Sequence, residues 1–278
     1  MVQPTDGRAP AHIDTTKASI ARVYDYALGG KDNYEVDRAV IERIRAVAPE
    51  VNQFALDNRA FLVRAARFVA TRTAITQFLD CGSGLPTAEN THQVVQRLRP
   101  DARVVYVDND PTVVAHGRAL LEDNELTRFL AADLRDPGGV LDDPTVQQFL
   151  DLDRPVALFQ VGTLHHVADE DGPARIMAGY LDRLPAGSVV VVSHFFDPEN
   201  DDSELARRVE DLLVHSPMGS GYFRTMARIR ELFGGLDLVE PGIVACHRWW
   251  PEGPQLTPEN AVQRCVVGGV GIKHPPQR

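Results

Sequence analysis

The feature that most restricts the fold of this chain is a regular alternation of short apolar runs with segments of helical pattern, which begins at Thr76. The runs read TQFLDCGSG, RVVYVDND, TRFLAADLRD, PVALFQVGTLHHV and SVVVVSHFF. Helical patterns lie between them at residues 88–98, 112–123, 144–150 and 170–184. This alternation is typical of βαβ units, which build a parallel sheet covered by helices. We therefore predict an α/β fold with five parallel strands.

Two more apolar runs close the chain, LDLVEPGIVACHRWW and QRCVVGGVGIK, after helical patterns at residues 203–215 and 224–233. Two closing strands after five parallel ones fit an antiparallel hairpin at one edge of the sheet. The complete prediction is a doubly wound, seven-stranded sheet.

The residues ahead of the sheet show helical patterns only. In a first helix, which Thr15 or Thr16 could cap, apolar residues recur at offsets of three and four, at Ile20, Val23, Tyr24, Ala27 and Leu28. Gly29-Gly30 can end it through a left-handed turn. A second helix is expected from Asp32 or Asn33, and a third over 54–69. We predict a disordered leader at 1–14, a helical segment at 15–74 and the sheet domain at 75–278.

Composition argues against several classes of partner. The chain carries 39 acidic and 29 basic side chains, a formal charge of −10, which repels nucleic acid and anionic membranes. Its three cysteines form no CxxC pair, so we expect neither a disulfide framework nor a zinc site. No apolar run approaches membrane-spanning length and no signal sequence is evident, so we expect a cytoplasmic protein.

Chemistry is concentrated where the first three strands end. The first is followed by Asp80, Gly82 and Gly84 in LDCGSGLPTAEN, and glycines there let the backbone come close to a ligand. A simple tight turn is the alternative. Asp108, with Asn109 beside it, ends the second strand, where a carboxylate can accept hydrogen bonds from both ribose hydroxyls of an adenosyl group. Its alternative role is a helix cap before Pro111. The third strand ends at Asp133 and Leu134, where an adenine edge could be recognised.

A nicotinamide-dependent oxidoreductase shares the acidic end of the second strand. Its fingerprint needs a third glycine at the start of the helix, so that the helix N-terminus can face a diphosphate. That region reads LPTAEN here, without the third glycine. Acidic residues at Asp80 and Glu89 suit a cationic cofactor better than a diphosphate.

These three strand ends resemble those of the class I S-adenosylmethionine-dependent methyltransferases, which have a Rossmann-like sheet. More narrowly, ARVYDYALGGKDNYEVDR followed by FLDCGSGLPT is similar to an actinobacterial family of S-adenosyl methyltransferases of unassigned substrate, over residues 13–273. The resemblance implies S-adenosylmethionine as cofactor and a helical N-terminal lid that closes over it. It implies lid contacts from Tyr24, Gly29, Gly30 and either Asn33 or Tyr34, with aromatic rings covering the sulfonium. Otherwise Tyr24 is a core residue and the glycines only end a helix.

The fourth strand carries FQVGTLHHVADED. In a methyltransferase this strand end borders both the methyl group and the acceptor, which implies that Gln160, Val161 and Gly162 contact the cofactor. His165 and His166 are the first candidates for a base with a pKa near neutral, and His194 is the next. A metal site at the two histidines lacks further ligands at a diagnostic spacing, so we predict none. Weaker candidates for the substrate pocket are Phe195, Phe196, the loop GSGYFRT, Trp249 and Trp250.

The sequence thus predicts an S-adenosylmethionine-dependent methyltransferase that acts on a small-molecule acceptor, without nucleic acid or membrane partners. Two alternatives stay open: a cofactor-binding regulatory protein without turnover, and the NAD-dependent oxidoreductase. The identity of the acceptor and the oligomeric state are left open.

Overall fold

The computed structural model describes residues 13–86, 89–120 and 124–275. The predicted leader therefore falls almost entirely outside the described residues. The sheet has eight strands, namely β1 Gln77–Cys81, β2 Arg103–Asp108, β3 Thr127–Ala131, β4 Ala157–Val161, β5 Val189–Phe195, β6 Asp237–Leu238, β7 Val244–Ala245 and β8 Val266–Ile272. Their order is β3-β2-β1-β4-β5-β8-β6, and β7 pairs with β8. The first five strands are parallel, and β8 runs antiparallel to β5.

The doubly wound sheet is confirmed, with one difference at its closing edge. β8 lies between β5 and β6, and both short strands β6 and β7 pair with it. The eighth strand is thus a two-residue addition to a path of seven. Gly268 of β8 lies against the Phe61 ring of α3. A Cβ atom at position 268 would come within 2.7 Å of that ring, so only glycine fits without a shift.

Eleven α-helices are found in the described part of the chain: α1 Ile20–Ala27, α2 Glu35–Arg45, α3 Asn52–Arg72, α4 Thr91–Leu98, α5 Pro111–Leu120, α6 Pro137–Leu141, α7 Pro144–Phe149, α8 Pro173–Arg183, α9 Ser203–Val214, α10 Met226–Glu231 and α11 Ala261–Arg264. The predicted starts of the first two helices were too early. Ser19 caps α1, since its hydroxyl accepts from the Arg22 N–H. Tyr34 precedes α2, where Asp37 accepts from its N–H at 2.8 Å.

The sheet separates two hydrophobic clusters, because successive strand residues point to opposite faces. Phe78 of β1 packs in one cluster with α1 to α4 and α9, and its neighbour Leu79 packs in the other with α8 and α10. No described helix is both long and apolar enough to cross a membrane.

The N-terminal helices differ in what they contact. The long helix α3 packs against α4 and β8, so it belongs to the helical layer on the sheet. Helices α1 and α2 pack against each other and are joined by a buried ion pair, in which Arg22 Nε lies 2.8 Å from Asp37 Oδ2. Among the residues predicted as a lid at 15–74, α1 and α2 are therefore the part suited to cover a site.

Candidate active site

A cavity of about 430 Å³ lies at the carboxyl ends of β1, β2 and β4, beneath α1 and α2. Ligands of doubly wound sheets bind at this edge. Eleven of the residues singled out from the sequence line it: Tyr24, Asp80, Gly82, Gly84, Asp108, Asn109, Leu134, Val161, Gly162, His165 and His166. Five other predicted cofactor contacts do not line it, namely Gly29, Gly30, Asn33, Asp133 and Gln160, and neither does the candidate base His194.

The glycine loop after β1 has the backbone that only glycine adopts easily. Gly82 has φ +70° and Gly84 has φ +66°, both in the left-handed region. A side chain on Gly82 would overlap the Thr163 methyl group beyond the end of β4. At Gly84 the same direction is open space. The first glycine thus allows close packing of two strand ends, and the second leaves room beside the loop.

Asp108 is held in the cavity wall by backbone donors. Its carboxylate accepts from the Gly84 N–H at 2.9 Å and from the Asp110 N–H at 2.9 Å. The helix cap of α5 is Asp110, which accepts from the N–H groups of Thr112 and Val113. The alternative role of Asp108 as that cap is therefore taken by its neighbour. Burial raises the pKa of Asp108 to about 6.

Asp80 and Arg59 bring opposite charges to the same end of the cavity. Asp80 is buried and accepts from the Thr91 hydroxyl at 2.6 Å, and burial raises its pKa to about 6. Arg59 of α3 lines the cavity and donates through Nη2 to the Glu89 carbonyl at 2.9 Å. No sequence motif marked Arg59, because its position follows only from the register of α3 on the sheet.

Tyr24 lies in the cavity wall through a hydrogen-bonded chain that the sequence did not predict. Its hydroxyl donates to the Ala55 carbonyl at 3.1 Å and accepts from Asn58 Nδ2 at 2.9 Å. Asn58 in turn accepts from the Ser193 hydroxyl of β5. A side chain on Gly162 would meet Asn58 Nδ2 at 2.8 Å. This series of hydrogen bonds and contacts therefore joins α1, α3 and the ends of β4 and β5.

The glycine pair and Asn33 shape the connection between α1 and α2 and do not line the cavity. Gly29 has φ +82° and directly follows Leu28, the C-cap of α1. This is the left-handed turn that was predicted at the end of the helix. A side chain on Gly30 would overlap the Asp25 carboxylate, and Asn33 Nδ2 donates to that carboxylate at 2.8 Å. These contacts give no support to the predicted lid contacts of the three residues with a ligand.

Asp133 and Gln160 also do not line the cavity. Asp133 pairs with Arg135 at 2.6 Å in a separate surface groove, whereas its neighbour Leu134 lines the cavity. Gln160 is fully buried and its Oε1 accepts from the Thr163 hydroxyl at 2.9 Å. The structure therefore gives no support to a cofactor contact by either side chain, and the buried Gln160 Nε2 has no hydrogen-bond partner.

The histidines are neutral rather than poised near pH 7. Burial lowers the pKa of His165 well below its usual value, that of His166 to about 4 and that of the buried His194 to about 3. His166 Nδ1 lies 3.0 Å from the Ser220 hydroxyl, while His165 Nδ1 is buried without a hydrogen-bond partner. The expected near-neutral base is therefore not supported at either candidate, although both rings line the cavity.

Aromatic side chains are divided between the cavity and the core. Phe195 lines the cavity and stacks on His165 with ring centroids 3.7 Å apart. Trp249 is fully buried against Phe61. The weaker candidates outside the lining are Phe196, Ser220, Tyr222, Phe223, Trp249 and Trp250. In the described ranges, no group of three or more His, Cys, Asp or Glu is arranged to hold a metal ion.

Comparison with known proteins decides the family. The model of the S-adenosyl methyltransferase family matches residues 6–274. The chain belongs to the S-adenosyl methyltransferase family. It is therefore an S-adenosylmethionine-dependent methyltransferase, and S-adenosylmethionine is its cofactor. The oxidoreductase alternative is thereby set aside.

Solved structures resemble this methyltransferase over nearly its whole length. A protein from Thermobifida fusca, assigned as a methyltransferase, is 39% identical with a TM-score of 0.91, covering 97% of this chain and 100% of that one. A duf574 family protein from Streptomyces avermitilis is 36% identical with a TM-score of 0.88, covering 94% and 99%. No curated protein matches the methyltransferase.

The cavity of the methyltransferase fits its cofactor on structural grounds. An adenosyl group needs a carboxylate at the end of the second strand and a backbone that can be approached closely. Asp108 and the open side of Gly84 supply both.

Proposed function

We propose that this cavity holds S-adenosylmethionine together with a small-molecule methyl acceptor. The observation that carries the proposal is the position of Asp108, whose carboxylate is fixed by the Gly84 N–H in the cavity wall. A carboxylate there can accept hydrogen bonds from both ribose hydroxyls. The adenosyl group then lies between the glycine loop and Asp108, with Asn109 and Leu134 beside the adenine.

The charged end of the cofactor has matching partners in the same wall. Its methionine part carries a carboxylate and an ammonium group. Arg59 offers a cation for the carboxylate and Asp80 an anion for the ammonium, and both line the cavity near the glycine loop. Opposite charges at short distance in a poorly solvated site attract more strongly than in water.

When bound, S-adenosylmethionine would supply an electrophilic methyl group attached to a cationic sulfur. A lone pair of the acceptor would form the new bond to the methyl carbon, and the electron pair of the S–C bond would stay on sulfur. The contribution of the chain is positioning, which can account for roughly 7 to 11 kcal/mol of a reaction barrier. Tyr24 and Asn58, bonded to each other beside Gly162, fix the wall at the end of β4. Neutral His165 and His166 can accept a hydrogen bond from the acceptor.

A small acceptor is favoured by the way α1 closes the cavity. The Ser19 hydroxyl donates to Asp110 Oδ2 at 2.5 Å, and Arg22 Nη1 donates to the Thr112 hydroxyl at 3.3 Å. Both contacts join α1 to the start of α5 above the glycine loop. A volume of about 430 Å³ also falls in the range of small-molecule sites, roughly 300 to 1,000 Å³.

The direct test is Asp108→Ala, titrated with S-adenosylhomocysteine by calorimetry. We expect affinity to fall by at least about tenfold, because two ribose hydroxyls lose their acceptor. Asp153→Ala is the matched control, since Asp153 is exposed at the amino edge of β4. Equal affinities of the two variants would remove Asp108 from the cofactor site.

A further inference from the structure

Formal charge is confined to one end of the cavity. Among the described lining residues, the carriers of charge at neutral pH are Arg59, Asp80, Asp108 and Asp110. Asp80 lies in β1, Asp108 is the last residue of β2, and Asp110 comes shortly after it. Arg59 of α3 reaches the same region and bonds to the Glu89 carbonyl near the glycine loop. The proposed function assigns this end to the cofactor.

The other end is an apolar surface, which we name the acceptor wall, formed by Ile41, Ile44, Phe54, Phe195, Leu213 and Met218. These residues come from α2, α3, β5, α9 and the loop after α9, and α2 packs against α9. The Phe54 and Phe195 rings lie 5.1 Å apart. None of the six side chains carries a charge or a strong hydrogen-bonding group.

The polar lining residues that contact the acceptor wall, His165 and His166, are uncharged, and the neighbouring charged side chains Glu210 and Arg224 do not line the cavity. His165 stacks on Phe195, and its buried Nδ1 has no hydrogen-bond partner. His166 bonds to Ser220. Burial keeps both imidazoles neutral at pH 7, in agreement with this arrangement. The neutral imidazoles thus give the lining uncharged polar groups that suit a hydroxyl group, while none of the wall residues offers an opposite charge to an ion.

We propose that the methyl acceptor is an uncharged, mostly apolar hydroxy compound that binds against the acceptor wall with its hydroxyl group near His165. On transfer, the hydroxyl oxygen would form the new bond to the methyl carbon and the electron pair of the broken S–C bond would stay on sulfur. The hydroxyl proton, which becomes strongly acidic as that bond forms, would pass to the neutral imidazole of His165. This rests on the proposed function, which gives the charged end of the cavity to the cofactor. A carboxylate, phosphate or ammonium group at the wall would be buried without a partner, which is strongly unfavourable. The acceptor is therefore neither a carboxylate nor a protonated amine, two classes that the sequence left open.

The test compares two probes with the same ring and different charge. The protein is first saturated with S-adenosylhomocysteine and then titrated by calorimetry with 2-naphthol, which is neutral at about pH 7.5, or with 2-naphthoate, which is an anion. We expect saturable binding of 2-naphthol and binding of 2-naphthoate weaker by at least about tenfold. Absent binding of 2-naphthol, or equal binding of the two, would overturn the inference.

Failure of the two proposals can be told apart. If S-adenosylhomocysteine does not bind, the proposed function fails, and the two naphthalene probes still test the acceptor wall on the protein alone. If it binds and the neutral probe does not, only the inference fails.

A substitution in the wall should reverse the preference. Met218 is half-buried in the loop after α9, so Met218→Lys places an ammonium group at the wall with little demand on the core. We expect 2-naphthol binding to weaken by about tenfold, 2-naphthoate binding to improve and S-adenosylhomocysteine affinity to stay within about twofold. Met218→Leu keeps the wall apolar and should keep the original preference. Met226→Lys makes the same substitution outside the cavity and should change neither probe. An unchanged preference in Met218→Lys would contradict the inference.

Discussion

At the scale of single residues, the proposed cofactor end of the cavity contains two carboxylates, the buried Asp80 and the half-buried Asp108. Asp80 and Asp108 each have a pKa raised to about 6 by burial. In the proposed site both lie where the cofactor needs an anion, so we expect their ionised forms to be the ones that bind it. As the pH falls through 6, protonation competes with binding.

This predicts that S-adenosylhomocysteine affinity falls by about tenfold between pH 7.5 and pH 5, because a carboxyl group with a pKa near 6 is then mostly protonated. Calorimetry across this range measures it. His166 and His194, with pKa values of about 4 and 3, stay neutral throughout and do not contribute. Asp108→Asn, which cannot titrate, should bind weakly and depend less on pH. A flat profile for the unaltered protein would contradict the assignment.

Arg59 gives a second prediction at this scale. Arg59→Met should lower the affinity for S-adenosylhomocysteine by at least about tenfold, because the carboxylate of the methionine part loses its cation. Methylthioadenosine lacks that carboxylate and should bind both proteins equally. Arg59→Lys should recover part of the loss. If both ligands weaken together, Arg59 acts on the shape of the site through its bond to Glu89 and not on the carboxylate.

The sequence revealed these residues unequally. Asp80 and Asp108 were found because a strand followed by a turn fixes where its last side chains lie, whatever the rest of the fold. Arg59 and Asn58 were missed as site residues because they come from the middle of a helix, and which face of α3 meets the strand ends depends on packing across the sheet. The glycine pair was recognised as the end of a helix. That it does not line the cavity could not be read from the sequence, because Gly30 and Asn33 contact the Asp25 carboxylate only in the folded chain.

At the scale of elements, apolar runs predicted β1 to β5 well, since the central strands β1 and β4 are buried on both faces and the others are buried over most of their length. The two-residue strands β6 and β7 carry almost no sequence signal. Helix α6 was missed because its five residues include two glycines and show no apolar period. Helix α3 was grouped with the lid, although its Phe61 packs on β8.

Helix α1, whose residues line the cavity, gives a third prediction. Ser19→Ala removes the hydrogen bond from α1 to Asp110, a loss of about 1 kcal/mol that should speed release of S-adenosylhomocysteine roughly fivefold in stopped-flow measurements. Thr16→Ala is the control, because the Thr16 hydroxyl bonds to the exposed Asp14. Equal release rates in the two variants would mean that α1 does not limit exit from the cavity.

At the scale of the whole molecule, the fold brings three kinds of surface to one edge of the sheet. The strand ends supply the carboxylates and the glycine loop, α3 supplies Arg59 and Asn58, and the helices α1, α2 and α9 supply apolar cover. Parallel strands place all their carboxyl ends at this edge, which is why one cavity can join residues distant in sequence. The account therefore centres on one site that holds the cofactor and the acceptor together.

The measurement that tests this most directly is parallel calorimetric titration of the full-length protein with S-adenosylmethionine, S-adenosylhomocysteine and NAD. The account predicts saturable binding of the first two at one site per chain, with no binding of NAD, because no third glycine opens the helix after the loop and Asp80 disfavours a diphosphate. Binding of NAD, or no binding of either sulfur compound, would contradict it.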